Sequence, residues 1–585
     1  MKALKHLNKY FYKYRYRLII GIIITVISKV FVLFTPRLVG DSINIISKRL
    51  DGKITDDIFT SELTINILYI VGAAVIAGLF TFLMRQTIIN VSRFIEFDLK
   101  NEIYKHYQVL SLNFYKSNRT GDLMNRISED VGKVRMYVGP ALMYTINTIT
   151  LFTVAIIYMV NTAPKLTMYT LMPLPILSFS IYKLSSLINK RSTIVQQSLS
   201  TLSTYSQETF SGISVIKSYG IEAKTNTEFE ELSAENRQKQ INLTKVQALF
   251  FPLMILLIGA SNLIVIYVGG MQYINGEIEN IGTIAEFIIY VNMLTWPVAT
   301  VGWVTSLVQQ AEASQERINE FLKTEPEIQN KTDQLTPIKG DIEYKNVSFV
   351  YPDTNIKALK DISFTLKSGE TLAILGKTGS GKSTILDLIG RLYDIENGDI
   401  LIDGKTISDL NLYSLRNSIG YVPQDAFLFS DSIKNNIMFG KEDATEEEVI
   451  EAAKNAKVHK NIIKFNKGYD TILGERGITL SGGQKQRVSI ARAIIKKPDI
   501  LLFDDCLSAV DTETEEKILK NLVKLTKGKT TIIVSHRVSS AKNADQIIVL
   551  EDGRITQIGK HNHLINIDGY YKELYTKQLS EKEIQ

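Results

Sequence analysis

The sequence predicts a chain of mixed class: an all-α domain of six membrane-crossing helices over residues 1–320, a linker over 321–340, and an α/β domain over 341–585. Three observations predict it. Six apolar stretches, near 18–40, 63–89, 138–160, 165–187, 246–270 and 281–305, are each long enough to cross a ~30 Å hydrocarbon core, which takes about 20 residues of helix. From Asp341 the pattern changes to short β-branched strands separated by helices. One of those strands runs directly into a glycine-rich turn and an apolar-periodic helix, the grammar of a phosphate-binding loop.

Composition bounds the rest. A chain of 585 residues is too long for one ordinary domain. A net charge of +6 is modest, and no Lys/Arg cluster interleaves with aromatic residues, so nucleic acid is not an expected partner. The single cysteine, Cys506, excludes a disulfide framework and any multi-cysteine metal site. The basic start, with Lys2, Lys5, Lys9 and Lys13, lacks the short apolar core and small-residue cleavage site of a signal peptide. It reads as an amphipathic helix on the membrane surface, with Phe11, Tyr12 and Tyr14 at headgroup level.

The connections between spans alternate in kind. Spans three and four are joined by Asn161–Pro164, spans five and six by a turn at Asn275–Glu277. Spans two to three and four to five are joined by long polar stretches with helical periodicity. Those carry the positive charge: Arg93, Lys100, Lys105, Lys116, Arg119, Arg126, Lys133 and Arg135 in one, and Lys190, Arg191, Lys217, Lys224, Arg237, Lys239 and Lys245 in the other. The positive-inside rule then places both long loops, both termini and the α/β domain in the cytoplasm. Within the spans, Lys29 stands out, because a Lys at a helix centre costs roughly 2.5–3.5 kcal/mol on insertion scales. It is a candidate for a polar substrate pathway, with Asn262, Glu286 and Asn292 as weaker ones; the bland reading is snorkelling or a helix–helix contact.

In the second half, Asp341–Val350 alternates like a strand and Thr371–Leu375 is a buried strand run. It leads into Gly376-Lys377-Thr378-Gly379-Ser380-Gly381-Lys382-Ser383-Thr384, which fits G-x-x-x-x-G-K-[ST]. Glycines there let successive backbone N–H groups face phosphate oxygens, and the helix N-terminus adds a favourable dipole. Lys382 is expected to reach the β- and γ-phosphates of ATP, and Ser383 to ligate Mg²⁺. A second apolar strand, Ile500–Phe503, ends in Asp504 and Asp505; Asp504 is expected to hold the Mg²⁺ shell and Asp505 to be the catalytic carboxylate. Between them Ser481, Gly482, Gly483 and Gln484 open another helix and so form a second anion site. Two phosphate-binding helix ends so far apart in sequence suggest a site shared by two subunits.

With these motifs in this order, the chain resembles, over nearly its whole length, bacterial ABC exporters of the half-transporter type, such as the lipid A flippase and multidrug exporters. The resemblance implies the type I exporter fold for the six-helix domain. It also implies that Tyr351 stacks on adenine and that Gln424 is the glutamine that senses Mg²⁺ and the membrane domain. Ser481, Gly482, Gly483 and Gln484 then close over the partner subunit's γ-phosphate, Ser508 and Asp511 belong to the D-loop, and His536 is the switch histidine. Gly474–Gly477 resembles a segment that touches coupling loops, whose tips fall near 113–121 and 215–224. The family normally has glutamate directly after the Mg²⁺-shell aspartate, where this chain has Asp505, one methylene shorter. That departure resembles the degenerate-site subunit of heterodimeric exporters and favours a heterodimer over a homodimer.

The function expected from the whole is ATP-driven export or flipping of a hydrophobic or amphipathic substrate, drug or lipid, across the bacterial cytoplasmic membrane by alternating access. ATP and Mg²⁺ are the expected cofactors; a second half-transporter and membrane lipid are the expected partners. The alternative is an ATP-binding regulatory subunit with little hydrolysis at its own site. Six spans exclude a soluble ATPase, and fusion after the sixth span argues against an importer.

Overall fold

The computed structural model describes residues 2–474, 477, 480–506, 517–518, 521 and 528–584. It divides into two compact units, one of residues 1–108 and 121–324, the other of 109–120 and 325–585. The segment 109–120, expected at the tip of the first long loop, therefore belongs to the second unit.

The first unit is helical. Its long elements are α1 (Arg15–Leu50), α2 (Asp56–Val109), α3 (Leu142–Thr162), α4 (Pro164–Leu171), α5 (Pro173–Ser211), α6 (Glu222–Gln247), α7 (Phe250–Ile274) and α8 (Gly282–Leu322). Helix covers all six predicted spans. Among the described residues, five runs are long and apolar enough to cross a membrane: 15–50, 56–109, 120–162, 222–274 and 282–322. The fourth predicted span, 165–187, is not one of these five; it is divided between α4 and α5, where Pro173, which has no N–H to offer the preceding turn, opens a new helix.

The helices outrun the spans. At 54 residues α2 is about 80 Å long, far more than a ~30 Å hydrocarbon core needs. Its second half leaves the apolar layer with Glu96 bridged to Arg93 and Lys100, each at 2.9 Å.

The unit carries apolar side chains outside and several small or polar ones between helices, beside a buried cluster that includes Leu33, Phe287, Tyr290 and Leu294. Ile19, Leu68, Val75 and Leu263 are exposed, whereas Thr25, Ser28, Asn66, Ser92 and Ser261 are buried. Ser28 Oγ lies 2.9 Å from Thr81 Oγ1, and Asn66 Nδ2 donates to the Leu38 carbonyl at 2.8 Å. Exposed apolar side chains suit a bilayer, where helices associate through van der Waals packing, close backbone approach and hydrogen bonds. The closest approach joins α1 to α8: a Cβ on Gly282 would stand 2.0 Å from the Gly40 carbonyl oxygen. Gly282 N donates to Asn44 Oδ1 at 2.7 Å in the same place.

The N-terminal helix is tied to α2. The helix Asn8–Lys13 does not present all its aromatics outward. Lys9 Nζ meets Glu102 Oε1 at 2.5 Å, Tyr10 also donates to Glu102, and Lys13 and Tyr14 both bond Asp98, at 2.6 and 2.9 Å. Burial opposes ionisation of Glu102, but its bonds to His6, Lys9 and Tyr10 outweigh that and hold its pKa down at about 2. Tyr14 thus serves a clamp on α2, while Tyr12 remains exposed.

The second unit holds two sheets. An antiparallel one has the order β2-β1-β4-β5, from β1 (Ile342–Val350), β2 (Lys357–Leu366), β4 (Asn397–Ile402) and β5 (Lys405–Thr406). The other has six strands in the order β10-β9-β3-β8-β7-β6: β3 (Thr371–Gly376), β6 (Ile419–Val422), β7 (Ile500–Asp504), β8 (Thr530–Val534), β9 (Gln546–Glu551) and β10 (Arg554–Gly559). All its pairings are parallel except that of β10. Parallel strands are covered on both faces, so β3 and β7 read as continuous apolar runs with no alternation. Their packing against α9 (Lys382–Ile389) fills the core with Leu372, Ile374, Ile385 and Leu388.

Candidate active site

In open parallel sheets, ligands bind beyond the carboxyl ends of the strands. Here β3, β8, β7 and β6 lie side by side. Ile374 of β3 pairs with Val534 of β8, which pairs with Asp504 of β7. The strand ends therefore bring together the phosphate loop, His536, the two aspartates and Gln424. Together with Tyr351 they line one cleft of about 590 Å³, which also includes Thr378, Gly379, Gly381, Lys382, Ser383, Thr384, Asp504 and Asp505.

The loop has the shape of a cradle. A Cβ on Gly376 would stand 2.1 Å from the Leu550 carbonyl oxygen. One on Gly381, whose φ is +96°, would stand 2.4 Å from the Ala358 carbonyl oxygen. Only glycine fits both places. Lys382, buried, donates to the carbonyls of Gly376 and Lys377 at 2.9 and 2.7 Å, folded onto its own loop. Burial lowers its pKa, against the opposing pull of Asp505 and Asp504. Ser380 Oγ is buried without a hydrogen-bond partner among the described residues, an orphaned donor at the loop's centre.

Ser383 Oγ donates to Asp504 Oδ1 at 2.9 Å, so the hydroxyl and the carboxylate already share one point. Burial raises the pKa of Asp504; the Ser383 bond lowers it and the Asp505 charge raises it further. Asp505 is raised too, chiefly by burial, with His536 and Lys382 opposing. Its backbone is held by an N–H bond to the Val534 carbonyl at 3.0 Å, at φ +42°, a left-handed conformation that aspartate tolerates better than most residues. His536 Nε2 stands 3.8 Å from Asp505 Oδ2, beyond hydrogen-bond reach.

Tyr351 borders the other end of the cleft, its hydroxyl 2.9 Å from Thr384 Oγ1. Gln424 lines the cleft, and its carbonyl accepts from Gln486 Nε2 at 3.4 Å.

The loop at 481–484 is elsewhere: none of its residues lines this cleft. Ser481 caps α10 (Gly482–Ile495), its Oγ accepting from Gln484 N at 3.4 Å while Gln484 Oε1 accepts from Ser481 N at 3.0 Å. Ser508 and Asp511 lie outside the described residues, as do Glu475 and Arg476. In the membrane unit, Glu286 is buried with Oε1 unpartnered among the described residues and Asn262 is half-buried. Asn292 is exposed and bonds its own helix at Ile288, and Lys29 is half-buried in α1.

Sequence reasoning missed several residues. Asp387 on α9 has its pKa raised to about 6 by burial and by the nearby Asp504 charge. Gln578 donates to the His536 carbonyl at 3.0 Å and fixes that turn. Lys116, Tyr393, Lys357 and Asp552 also stand at or beside the cleft. The helical period of α9 would have placed Asp387 beside Ser383; nothing in the sequence points to the others.

Two family models match the chain: one described as ABC transporter transmembrane region, over residues 18–298, and one described as ABC transporter, over 359–508. The chain is 36% identical over 585 residues to a probable multidrug resistance ABC transporter ATP-binding/permease protein, YheI, of Bacillus subtilis, covering 98% of this chain and 97% of that one. It is 32% identical to the multidrug resistance-like ATP-binding protein MdlA of Escherichia coli, covering 99% and 97%. It is 36% identical to an ATP-dependent lipid A-core flippase of Syntrophus aciditrophicus, covering 83% and 81%. A solved structure of a bacterial Atm1-family ABC exporter with ATP bound superposes with a TM-score of 0.80 at 27% identity, covering 96% of this chain and 99% of that one.

Proposed function

We propose that this chain, which belongs to the ABC transporter family, is one half of an exporter that uses ATP to move a hydrophobic or amphipathic molecule, drug or lipid, across the cytoplasmic membrane. The observation that carries the reading is the single cleft at four adjacent strand ends, in a chain whose other unit is an apolar-surfaced helical bundle. Both termini and the α/β unit face the cytoplasm, supported by the positive charge of the two long loops.

ATP is the substrate of the cleft. Its phosphates fit the cradle of residues 376–384, where the Ser380 hydroxyl awaits a partner and Lys382 swings from its loop carbonyls to the β- and γ-oxygens. Tyr351 takes the adenine. Mg²⁺ fits the shared oxygen donors of Ser383 and Asp504, with Gln424 beside them, as expected for a hard cation with few protein ligands. When bound, the ion neutralises charge on the β- and γ-phosphates. Asp505, its basicity raised by burial, orients the attacking water and accepts its proton. Lys382 and His536 stabilise the charge that develops on the transferred phosphoryl group.

The cleft lacks the 481–484 loop, which supports a site completed by a second half-transporter, whose own loop closes over this chain's ATP. The 3.8 Å gap between Asp505 and His536 favours a second reading for the hydrolytic step: a site that binds ATP and turns it over slowly, in a heterodimer whose partner supplies the faster site. Export is then gated by nucleotide binding here and reset by hydrolysis there. Transport into inverted vesicles with Lys382→Ala tests the ATP-driven step. Loss of uptake is expected; full uptake by that variant refutes the role of the cleft.

A further inference from the structure

The aromatic wall of the cleft carries a cation that does not come from the α/β sequence. The short helix Leu112–Ser117, in the segment following α2, brings Lys116 onto it. The ammonium lies 4.8 Å from the centroid of the Tyr351 ring and 5.0 Å from that of Tyr393. Those two rings meet edge to face, 5.5 Å apart at 89°, so they form a corner, and the ammonium occupies it. Phe349 closes the corner from behind, 4.9 Å from Tyr351 and 5.5 Å from Tyr393. The segment is anchored on its other side as well. Ser111 Oγ and Asn113 Nδ2 donate to the two carboxylate oxygens of Glu327, at 3.0 and 2.7 Å.

Burial works against the charge of Lys116, but the Tyr393 hydroxyl and the surrounding negative potential outweigh it, so its pKa is raised and it stays cationic. A cation on a ring face restrains that ring, and Tyr351 is already tied by its hydroxyl to Thr384 in the first turn of α9. With both ends held, the ring has one orientation to offer a base.

We infer that Lys116 is a positioning residue for the nucleotide's base: it fixes the Tyr351 ring for purine stacking, and by that contact the first long loop tunes ATP affinity. The inference rests on the reading of the cleft as an ATP site. It separates the two parts of that affinity. Lys116 acts on the ring and reaches the phosphate cradle only through the Tyr351–Thr384 bond, so the base-dependent part answers to it first. Two rings at an exposed site make the contact worth roughly 3- to 10-fold in an equilibrium constant. Arginine, which also sits on aromatic faces, preserves it.

The test is equilibrium binding to the full chain in lipid nanodiscs. The probes are a fluorescent N-methylanthraniloyl ATP and, by competition, inorganic triphosphate, which has no base. Lys116→Gln is expected to weaken the ATP analogue about 3- to 10-fold and leave inorganic triphosphate unchanged; Lys116→Arg restores the analogue. Equal weakening of both probes means general damage to the unit and overturns the inference. So does a Gln variant that binds the analogue as well as the unaltered chain. If the unaltered chain shows no binding that Lys382→Ala removes, the ATP-site reading itself fails and takes this one with it.

Discussion

Replacing Asp505 by glutamate should speed ATP hydrolysis, and the structure sets the scale. His536 Nε2 and Asp505 Oδ2 are 3.8 Å apart, about 0.9 Å longer than an N–H···O bond near 2.9 Å, so the two side chains do not brace each other. Backbone movement cannot close the gap cheaply. The Asp505 N–H is bonded to Val534 at the end of β8, and its φ of +42° is already confined. One more methylene extends the side chain by about 1.3 Å, given C–C bonds near 1.5 Å. Misplacing a catalytic group by about 1 Å costs on the order of 10²-fold, or about 2.7 kcal/mol of barrier. Asp505→Glu should therefore raise kcat roughly 10- to 100-fold. KM should move less than about 3-fold, because Asp505 makes no contact that holds the nucleotide in place. The assay is phosphate release by the purified chain in lipid at saturating MgATP, with Lys382→Ala as the background. A glutamate variant no faster than the unaltered chain refutes the reasoning: aspartate would then be reaching the water through closure of the cleft.

Gly381→Ala should abolish nucleotide binding in the same analogue titration, because its Cβ would meet the Ala358 carbonyl at 2.4 Å from a backbone at φ +96°; binding within about 3-fold of normal would contradict the cradle. Asp387→Asn should stabilise the chain in a pH-dependent way. Its folded pKa of about 6 exceeds the ordinary 3.8, so the folded state holds the proton more tightly, and that stability is present below pH 4 and lost as pH rises through 6. The Asn variant should thus gain about 1–2 kcal/mol at pH 7.5, a discounted value because the side chain is only partly buried. Thermal unfolding should show no gain near pH 4, and a gain equal at both pH values would exclude this cause. Lys29→Ala should change how strongly transported substrates stimulate ATPase activity, because a half-buried Lys in α1 costs roughly 2.5–3.5 kcal/mol to insert and repays that only in a polar path. Unchanged stimulation and transport would leave it a packing residue.

Periodicity and short motifs made the two classes of domain, the apolar spans and the phosphate loop legible, because each depends on residues close in sequence. Helix length was not legible. The sequence ends span two at residue 89 and gives the polar stretch after it a helical period, but does not show that the two form one unbroken helix to Val109. The partners of the N-terminal helix were hidden for a related reason. Lys13 and Tyr14 look like membrane-surface residues until Asp98, far along the chain, is seen to face them. Strand order was equally hidden. That β8 lies between β3 and β7, and so inserts His536 between the phosphate loop and the aspartates, follows from pairing across the sheet and from no local signal.

The cap on α10 bears most directly on how many chains make a working site. Ser481 and Gln484 satisfy each other's backbone N–H, and that exchange consumes only acceptors: Ser481 Oγ and Gln484 Oε1. Among the described residues the Ser481 hydroxyl proton has no acceptor, and the N–H groups of Gly482 and Gly483, in a first turn, have no intrahelical partner. The side chains that appeared to be nucleotide ligands in their own right thus serve in part to hold a set of donors in place. A 14-residue helix aims its positive end through that set, yet the set lines no part of this chain's own phosphate cleft. Donors so arranged lower the free energy of an anion only where one is supplied, and the anion chemistry of this molecule resides in the cleft. A second copy or a related chain that lays its cleft against residues 481–484 would answer both deficits at once, and under the reading proposed above the shorter carboxylate of Asp505 and the intact cap are compatible in one subunit. Under that reading the first slows hydrolysis of the ATP this chain cradles, and the second serves the ATP its partner cradles.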